Sequence, residues 1–585
     1  MKSFFKFFLA AFLALIAFTL VGFGMLSIMV SLVSKTDKTE IKPRSVLYID
    51  VEQQFKDKKA DNTLAKLTGD KDIYAVSLHE AVELIHYAKS DSLIKGIYLK
   101  CNGNSNGFGS SEELRNAILD FKESRKFVIA YGEIISQKAY YVAATADKIY
   151  GNPKGMMEWS GFSSQLYFFK NALKKLEIEP QIFYDGKFKS ATEPFREEKM
   201  TDANRLQTTV WLGDIYHHFL QGISEQRNVD TVTLSRYASD FSIQTPADAE
   251  KYGLLDGLKY DDEVKAEIRK DLGIAENAKI SFVPIGTYAQ SVALKKYSTD
   301  RIAVVYAEGS IVDGKGRDGQ IASDEYRNLI AKIRTDKHIK AVVLRVNSPG
   351  GSALASEIIW REITLAREKG LPVVVSMGDV AASGGYYISC AADSIFAQPN
   401  TITGSIGVFG IVPNMKNFFN NKLGVTFDRV NTNTYADFGS TVRPMSDFEK
   451  KVFQTFIDSI YLGFKTRVSD GRKRNLDYVD SIAQGRVWTG ARAMEIGLVD
   501  KLGGLNDAIA CAARMANLQE YSIREYPQPP TIWDMLKGNL GKSIKANMMR
   551  EELGSEEFRI YKQMRDVREY MGVPQTRMPY DIFIE

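Results

Sequence analysis

The stretch Gly378-Asp379-Val380-Ala381-Ala382-Ser383-Gly384-Gly385-Tyr386-Tyr387 follows an apolar run, Leu371-Pro372-Val373-Val374-Val375, that reads as a buried strand. Behind Ser383 come Tyr386, Tyr387, Ile388, Ala391 and Ala392, which read as a packed helix. A serine at a tight strand-to-helix turn, flanked by Ala and Gly, has an exposed oxygen and room beside it for a substrate backbone. The amide after such a serine points into the same space, at the positive end of a helix. About 30 residues upstream, Arg345-Val346-Asn347-Ser348-Pro349-Gly350-Gly351-Ser352 is a second strand end followed by a Gly-rich turn. Its free amides are candidates for the second donor of an oxyanion hole. Either motif alone is ordinary turn chemistry. The pair, each at a strand end, points to acyl transfer.

The chain repeats itself, and the repeat sets the architecture. Ile94-Lys95-Gly96-Ile97-Tyr98-Leu99 matches Ile339-Lys340-Ala341-Val342-Val343-Leu344 at a shift of 245 residues. Gly132-Glu133, Tyr140-Tyr141, Ala146-Asp147 and Pro153 match Gly378-Asp379, Tyr386-Tyr387, Ala392-Asp393 and Pro399 at a shift of 246. Ala249–Asp256 matches Ala493–Asp500 at a shift of 244. This predicts an α/β fold built by tandem duplication of one unit. Where the second copy has Ser383-Gly384-Gly385, the first has Gln137-Lys138-Ala139. The Asn-Ser-Pro-Gly-Gly loop is replaced by Asn102-Gly103-Asn104-Ser105-Asn106. The nucleophile therefore survives only in the second half.

A serine needs a base to take its proton. Of five histidines, the second copy holds only His338, in the charged turn Thr335-Asp336-Lys337-His338-Ile339. His217 and His218 lie in a stretch with helical periodicity, so a Ser-His-Asp triad is poorly supported. The alternative is a lysine whose pKa is lowered by burial. The candidate segment is Asp185-Gly186-Lys187-Phe188-Lys189-Ser190-Ala191-Thr192-Glu193-Pro194-Phe195 of the first copy. Aligning Lys175-Leu176 with Lys422-Leu423 sets Lys189 opposite Ala436, so one copy keeps the serine and the other the lysine. A single site assembled from both halves follows. Alternation along an extended segment puts Lys187 and Lys189 on one side and leaves both open.

At Lys189-Ser190-Ala191, Glu193-Pro194-Phe195, Asn347-Ser348-Pro349-Gly350-Gly351, Ala381–Tyr387 and Thr403-Gly404-Ser405-Ile406-Gly407 the chain resembles the long, two-domain signal peptide peptidase A (protease IV) family. The likeness covers roughly residues 45 to 510. It implies the Clp-protease/crotonase superfold and a Ser-Lys dyad, with Ser383 as nucleophile and Lys189 as general base. It implies the amides of Gly351 and Gly384 as oxyanion donors, with no cofactor and no metal. It also implies a homo-oligomer, a tetramer, that is anchored in the inner (cytoplasmic) membrane with its body on the periplasmic side and degrades released signal peptides.

Composition bounds the rest. A net charge of +4 with 25% charged residues gives no electrostatic case for nucleic acid. The three cysteines, Cys101, Cys390 and Cys511, have no metal or CxxC spacing, and the last two read as core. Phe7 to Ser34 holds 28 residues without a charge, enough to span a bilayer and longer than a cleavable signal core. Two basic residues precede this span and Lys35, Lys38, Lys42 and Arg44 follow it, so charge does not favour an external body. The expected layout is an anchor (1–34), a linker (35–44), a first unit supplying the lysine (45–260), a connection (261–300), a second unit with the serine (301–515) and a tail (516–585). Ser45–Ile49 is expected as the first strand, matching Ile302–Tyr306. Ser446 to Glu449 has capping-box spacing and opens a helix with Val452, Phe453, Phe456, Ile457, Ile460 and Phe464 on one face, as core or subunit contact. The tail from Tyr526 onward, with Trp533, Met535 and Leu536, reads as packed against the body, as a docking helix or as a membrane-surface segment.

Two other functions compete with the peptidase. A crotonase-type acyl-CoA hydratase or thioesterase would use a similar two-amide hole, but the anchor, the serine and the lack of a Glu pair beside the glycine loops argue against it. A non-catalytic membrane scaffold would not need an intact serine and lysine.

Overall fold

The computed structural model describes residues 2–34, 40–58, 76–292, 294, 297–317, 319–528 and 573–578. Its centre is a pair of parallel sheets, one per repeat. The first runs in the order Gly257–Leu258, Lys148–Met157, Phe127–Ile135, Ile94–Lys100, Ser45–Asp50, Phe282–Pro284, every neighbour parallel. The second, of eight strands, follows the same plan in Lys501–Leu502, Ser394–Ala397, Val373–Ala382, Ile339–Ser348, Arg301–Glu308 and Ser522–Tyr526, and adds Ile402–Gly404 and then Val487–Thr489 along the far end of Val373–Ala382. Its outer pair with Val487–Thr489 is antiparallel. Central strands such as Arg301–Glu308 are buried on both faces, as parallel strands covered by helices must be, and so read as unbroken apolar runs.

The repeat reaches further than its identical residues. Helix Asp261–Leu272 lays Val264, Ile268 and Leu272 on Val46, Tyr98 and Ile129 of the first sheet. Helix Leu505–Met515 lays Leu505, Ile509 and Ala512 on Ile302, Val304 and Val343 of the second. Phe282–Pro284 pairs with Ser45–Asp50 just as Ser522–Tyr526 pairs with Arg301–Glu308. The segment 261–300, expected as a connection, thus supplies a helix and an edge strand to the first unit. The second unit likewise extends past residue 515. Apolar residues at helical spacing carry both helices, so few identities are needed to keep them.

A third sheet joins the halves and the tail, in the order Gln320–Ala322, Ser310–Val312, Gly350–Ser352, Gln575–Arg577, Val408–Asn414, Glu179–Asp185. Glu179–Asp185 comes from the first repeat and pairs antiparallel with Val408–Asn414 of the second, from Val408↔Asp185 to Asn414↔Glu179. Trp533, Met535 and Leu536 lie outside the described residues. Helix Asp447–Arg472 opens with the expected capping box of Ser446 and Glu449. It buries Phe453, Ile457, Tyr461, Phe464 and Val468 and leaves Phe456 exposed, so the apolar stripe turns one position from the expected face. The three cysteines are free and buried.

At the N-terminus a helix covers Lys2–Ser34. Among the described residues no helix is long and apolar enough to cross a membrane.

Buried charge also ties the halves. Arg345, 1% exposed, sends Nε to Asp57 Oδ1 (2.7 Å) and Nη2 to Glu113 Oε1 (2.6 Å), both from the first repeat. Asp57 also accepts from Asn347 Nδ2 at 2.8 Å. On the next strand, Asp379 accepts from the Ser110 amide and hydroxyl. Removing one member of such a network strands a charge in the interior, which costs about 3–5 kcal/mol. Arg345→Met is therefore expected to lower the melting temperature by many degrees in scanning calorimetry. Arg361→Met, which breaks only the exposed pair with Glu368, should leave it within about a degree. Equal shifts in the two variants would contradict this reading of the junction.

Candidate active site

Ser383 ends strand Val373–Ala382 and caps helix Gly384–Ser389 with φ 55° and ψ −112°. A left-handed φ at a non-glycine residue is strained and persists only where its surroundings hold it. Two backbone bonds do so: Ser383 N–H donates to the Gly404 carbonyl (2.8 Å), and its own carbonyl accepts from Tyr387 N–H (2.8 Å). The next residue has no room for a side chain, because a Cβ on Gly384 would stand 2.7 Å from Ser356 Oγ. Gly350, at φ +95°, completes the close approach: a Cβ there would lie 2.6 Å from the Gly384 nitrogen. The loop carrying Gly351 and the turn carrying Gly384 therefore border one small space.

The lysine arrives from the other repeat. Strand Glu179–Asp185 runs along Val408–Asn414, and the chain then turns at Gly186, where φ is +112°. Phe188 N–H is fixed to the Gln484 carbonyl at 2.7 Å, and Lys189 N–H to the Gly186 carbonyl at 3.0 Å. The Lys189 side chain is buried, and its Nζ lies 2.9 Å from Ser383 Oγ, 3.1 Å from Ser405 Oγ and 3.2 Å from the Ser405 carbonyl. Lys189 forms no ion pair among the described residues. Burial without a counter-ion pulls its pKa well below the usual lysine value. Lys187 is exposed on the other side of the segment, with Nζ over the Phe188 ring. Of the two lysines that alternation left open, only Lys189 meets the serine.

The structure thus brings Ser383, Lys189, Gly351 and Gly384 together. His338 is exposed in its turn, and His218 faces Glu112 in the first unit. Ala436, the counterpart of Lys189, is exposed. Gln137, the counterpart of Ser383, is buried; its Oε1 accepts from the Ser160 and Gly161 amides (both 2.9 Å) and its Nε2 donates to the Gly161 carbonyl (3.0 Å). The first repeat's version of the site is filled by an amide side chain. Ser405 is the residue that sequence reasoning left without a role. Its motif was in view, but nothing local shows that both its oxygens meet Lys189.

The model of peptidase family S49 matches residues 120–275 and 365–519, once in each repeat. The chain belongs to peptidase family S49. Protease 4 of Salmonella typhi is 37% identical over 478 residues, 80% of this chain and 77% of that protein. The chloroplastic serine protease SPPA of Arabidopsis thaliana is 33% identical over 485 residues, 80% of this chain and 70% of that protein. A putative signal peptide peptidase SppA of Enterococcus faecium is 34% identical over 239 residues, 40% of this chain and 69% of that protein. The chain is accordingly a serine-type peptidase with a duplicated domain.

A buried amine with a lowered pKa has a stability signature. Between its folded pKa and the ordinary value of ~10.4, the unfolded chain binds a proton at Lys189 that the folded chain does not. Stability therefore rises with pH across that window. Lys189→Met removes the proton linkage, so its melting temperature relative to the parent should climb as pH falls from 10 and level off below the folded pKa. A pH-independent difference between the two proteins would show that Lys189 is charged in the fold.

Proposed function

We propose that the peptidase works through a Ser383–Lys189 dyad with the Gly351 and Gly384 amides as oxyanion hole, and that it degrades released signal peptides and other short apolar peptides at a membrane. The supporting observation is the 2.9 Å approach of a buried, unpaired amine to the serine oxygen. A neutral amine has two N–H groups and one lone pair. Ser405 O and Oγ accept the two N–H bonds, which leaves the lone pair facing the Ser383 hydroxyl. Ser383 Oγ attacks the peptide carbonyl carbon while its proton passes to Lys189 Nζ. The carbonyl oxygen, now negative, is held by the two glycine N–H groups. Collapse breaks the C–N bond, and the leaving amine takes the proton from Nζ. Water then attacks the acyl ester, Lys189 receives its proton, and the acid leaves as Ser383 regains its hydrogen.

The substrate assignment leans on the family resemblance and on one relative bearing the name of a putative signal peptide peptidase. The membrane assignment leans on the uncharged sequence run Phe7–Ser34 and on the family resemblance. Phe4, Phe7, Phe8 and Phe18 are exposed on helix Lys2–Ser34. The periplasmic placement of the body rests on the resemblance. Exposed Phe427, Val430, Tyr435, Phe448 and Phe456 supply an apolar surface for a homo-oligomer.

Ser383→Ala and Lys189→Met should each abolish peptide cleavage with circular dichroism and assembly unchanged, while Gln137→Ala should stay within about twofold of the parent. Fluorophosphonate labelling should mark Ser383 alone. Substantial cleavage by Ser383→Ala protein would sink the assignment.

The pH profile provides a further check. Only the neutral amine accepts a proton, so kcat/KM on a short apolar peptide should rise with pH through one ionisation and plateau below the ordinary lysine range. His338→Gln should leave that profile unmoved. Loss of the ionisation in the His338 variant would make histidine the base.

A further inference from the structure

Four parallel strands of the first sheet start at one end of the unit, and that end is basic. A cavity of about 600 Å³ opens there, walled by Arg44, Lys95, Arg125, Lys126 and Lys148, with one carboxylate, Asp271. Strands Ser45–Asp50, Ile94–Lys100, Phe127–Ile135 and Lys148–Met157 each begin within two residues of one of these cations. The volume suits a small ligand, for which about 300–1,000 Å³ is usual. Lys148 is paired with Glu267. Arg44 gives Nη1 to the Gly273 carbonyl (3.1 Å), and Lys126 gives Nζ to the Ala88 and Asp91 carbonyls (2.7 and 2.6 Å). Among the described residues Arg44, Lys95, Arg125 and Lys126 form no ion pair. Burial pulls the Lys126 pKa below the usual lysine value; Asp91 opposes this and Lys95 adds to it.

The second repeat lacks this cluster. Ser45 N–H bonds to the Leu93 carbonyl as Arg301 N–H does to that of His338, which matches Arg44 with Asp300 and Lys95 with Lys340. Arg125 N–H bonds to the Lys122 carbonyl as Gly370 N–H does to that of Arg367, which matches Arg125 with Gly370 and Lys126 with Leu371. Ile149 and Ile395 N–H donate to Asp256 and Asp500, which matches Lys148 with Ser394. Four of the five cations are thus replaced, and the fifth counterpart, Lys340, lies 3.6 Å from Asp300. Arg125 holds φ 61° where its counterpart Gly370 holds φ 79°. Glycine takes that backbone freely, whereas an arginine there is strained, which points to use of its exposed side chain.

Arg44 stands ten residues after the uncharged run Phe7–Ser34 ends, a stretch that reaches at most about 35 Å. Strand Phe127–Ile135 carries the chain from the cavity toward Gln137, about 30 Å away at 3.3 Å per residue, so the cavity is separate from the first repeat's filled site. We propose that this cavity takes the phosphodiester of an anionic lipid headgroup between Arg44, Lys95, Arg125 and Lys126, and so seats the strand-start end of the first unit on the bilayer. The proposal rests on the membrane placement given above and is independent of the dyad. Guanidinium forks grip phosphate oxygens two at a time, and the two ammonium groups add compact charge. A zwitterionic headgroup would bring a further cation into the cluster. Each basic residue at an anionic lipid surface strengthens binding about fivefold.

The test uses the full chain in neutral detergent with phosphatidylglycerol and phosphatidylcholine in equal amounts, and native mass spectrometry to count the lipid each chain retains. The parent should hold one phosphatidylglycerol with at least about tenfold preference over phosphatidylcholine, and Ser383→Ala should match it. Lys95→Gln with Arg125→Gly removes two cations and gives the turn its second-repeat residue. This protein should melt no lower than the parent and bind phosphatidylglycerol about 25-fold more weakly. Lys95→Gln alone should cost about fivefold, and Lys340→Gln nothing. Absence of preference in the parent, or full retention in both Lys95 variants, overturns the proposal. Inorganic phosphate held as tightly as phosphatidylglycerol would make the cavity a free-anion site and overturns it too. A full chain that stays soluble without detergent overturns the membrane reading and this proposal together, whereas one that needs detergent but shows no lipid preference overturns the proposal alone.

Discussion

A primary amine sealed from water, with no carboxylate beside it among the described residues, is the constraint on which the molecule turns. Holding Lys189 neutral costs free energy at every pH below the ordinary lysine range, and the fold must supply that cost from elsewhere. It does so by making the amine's pocket out of two chain segments that are themselves firmly held. One is the strand Glu179–Asp185, zipped along Val408–Asn414. The other is the serine turn, pinned by the Gly404 carbonyl and closed by the approach of the Gly350 loop. The serine's strained φ and the lysine's lowered pKa are two forms of the same stored cost.

Duplication explains how such a site came to be divided. In the second repeat the helix begins one position later than in the first: Ser383 is the cap, whereas Ser136 caps the helix Gln137–Ala143 with an ordinary φ of −73°. The first repeat thereby loses the strained turn and fills the space with Gln137. It keeps the strand and lysine that the second repeat's exposed 431–437 segment no longer provides. The Arg345–Asp57–Glu113 network and the Asp379–Ser110 contact lie at the base of the strands leading to the two glycine loops. The first half therefore braces the strands that carry Ser383 and the Gly350-Gly351 loop as well as supplying Lys189.

Much of this was legible from residues alone, where the signal was local. Ser383 and the Gly350-Gly351 turn announce themselves through strand ends, small residues and glycine pairs. Lys189 became visible only on comparing the copies, and alternation could not separate it from Lys187, because what separates them is the turn at Gly186 rather than the period of a strand. The last helix of the first unit was hidden by counting identities instead of the spacing of Val264, Ile268 and Leu272. Ser405 and the strand Gln575–Arg577 were out of reach. A three-residue strand has no periodicity to read, and its partners lie more than 160 residues away.

The pairing of Glu179–Asp185 with Val408–Asn414 has a consequence in time. At about 5–20 residues per second, a ribosome finishes the lysine-bearing strand some 10–45 s before its partner exists, because roughly 220 residues separate them. For that interval the nascent first half carries an unpaired strand edge, open to neighbours and to chaperones. For the same interval Lys189 has no Ser383 to meet, the hydroxyl that lies 2.9 Å from its amine in the finished fold. The contact between Lys189 and Ser383 thus exists only once both repeats have been made.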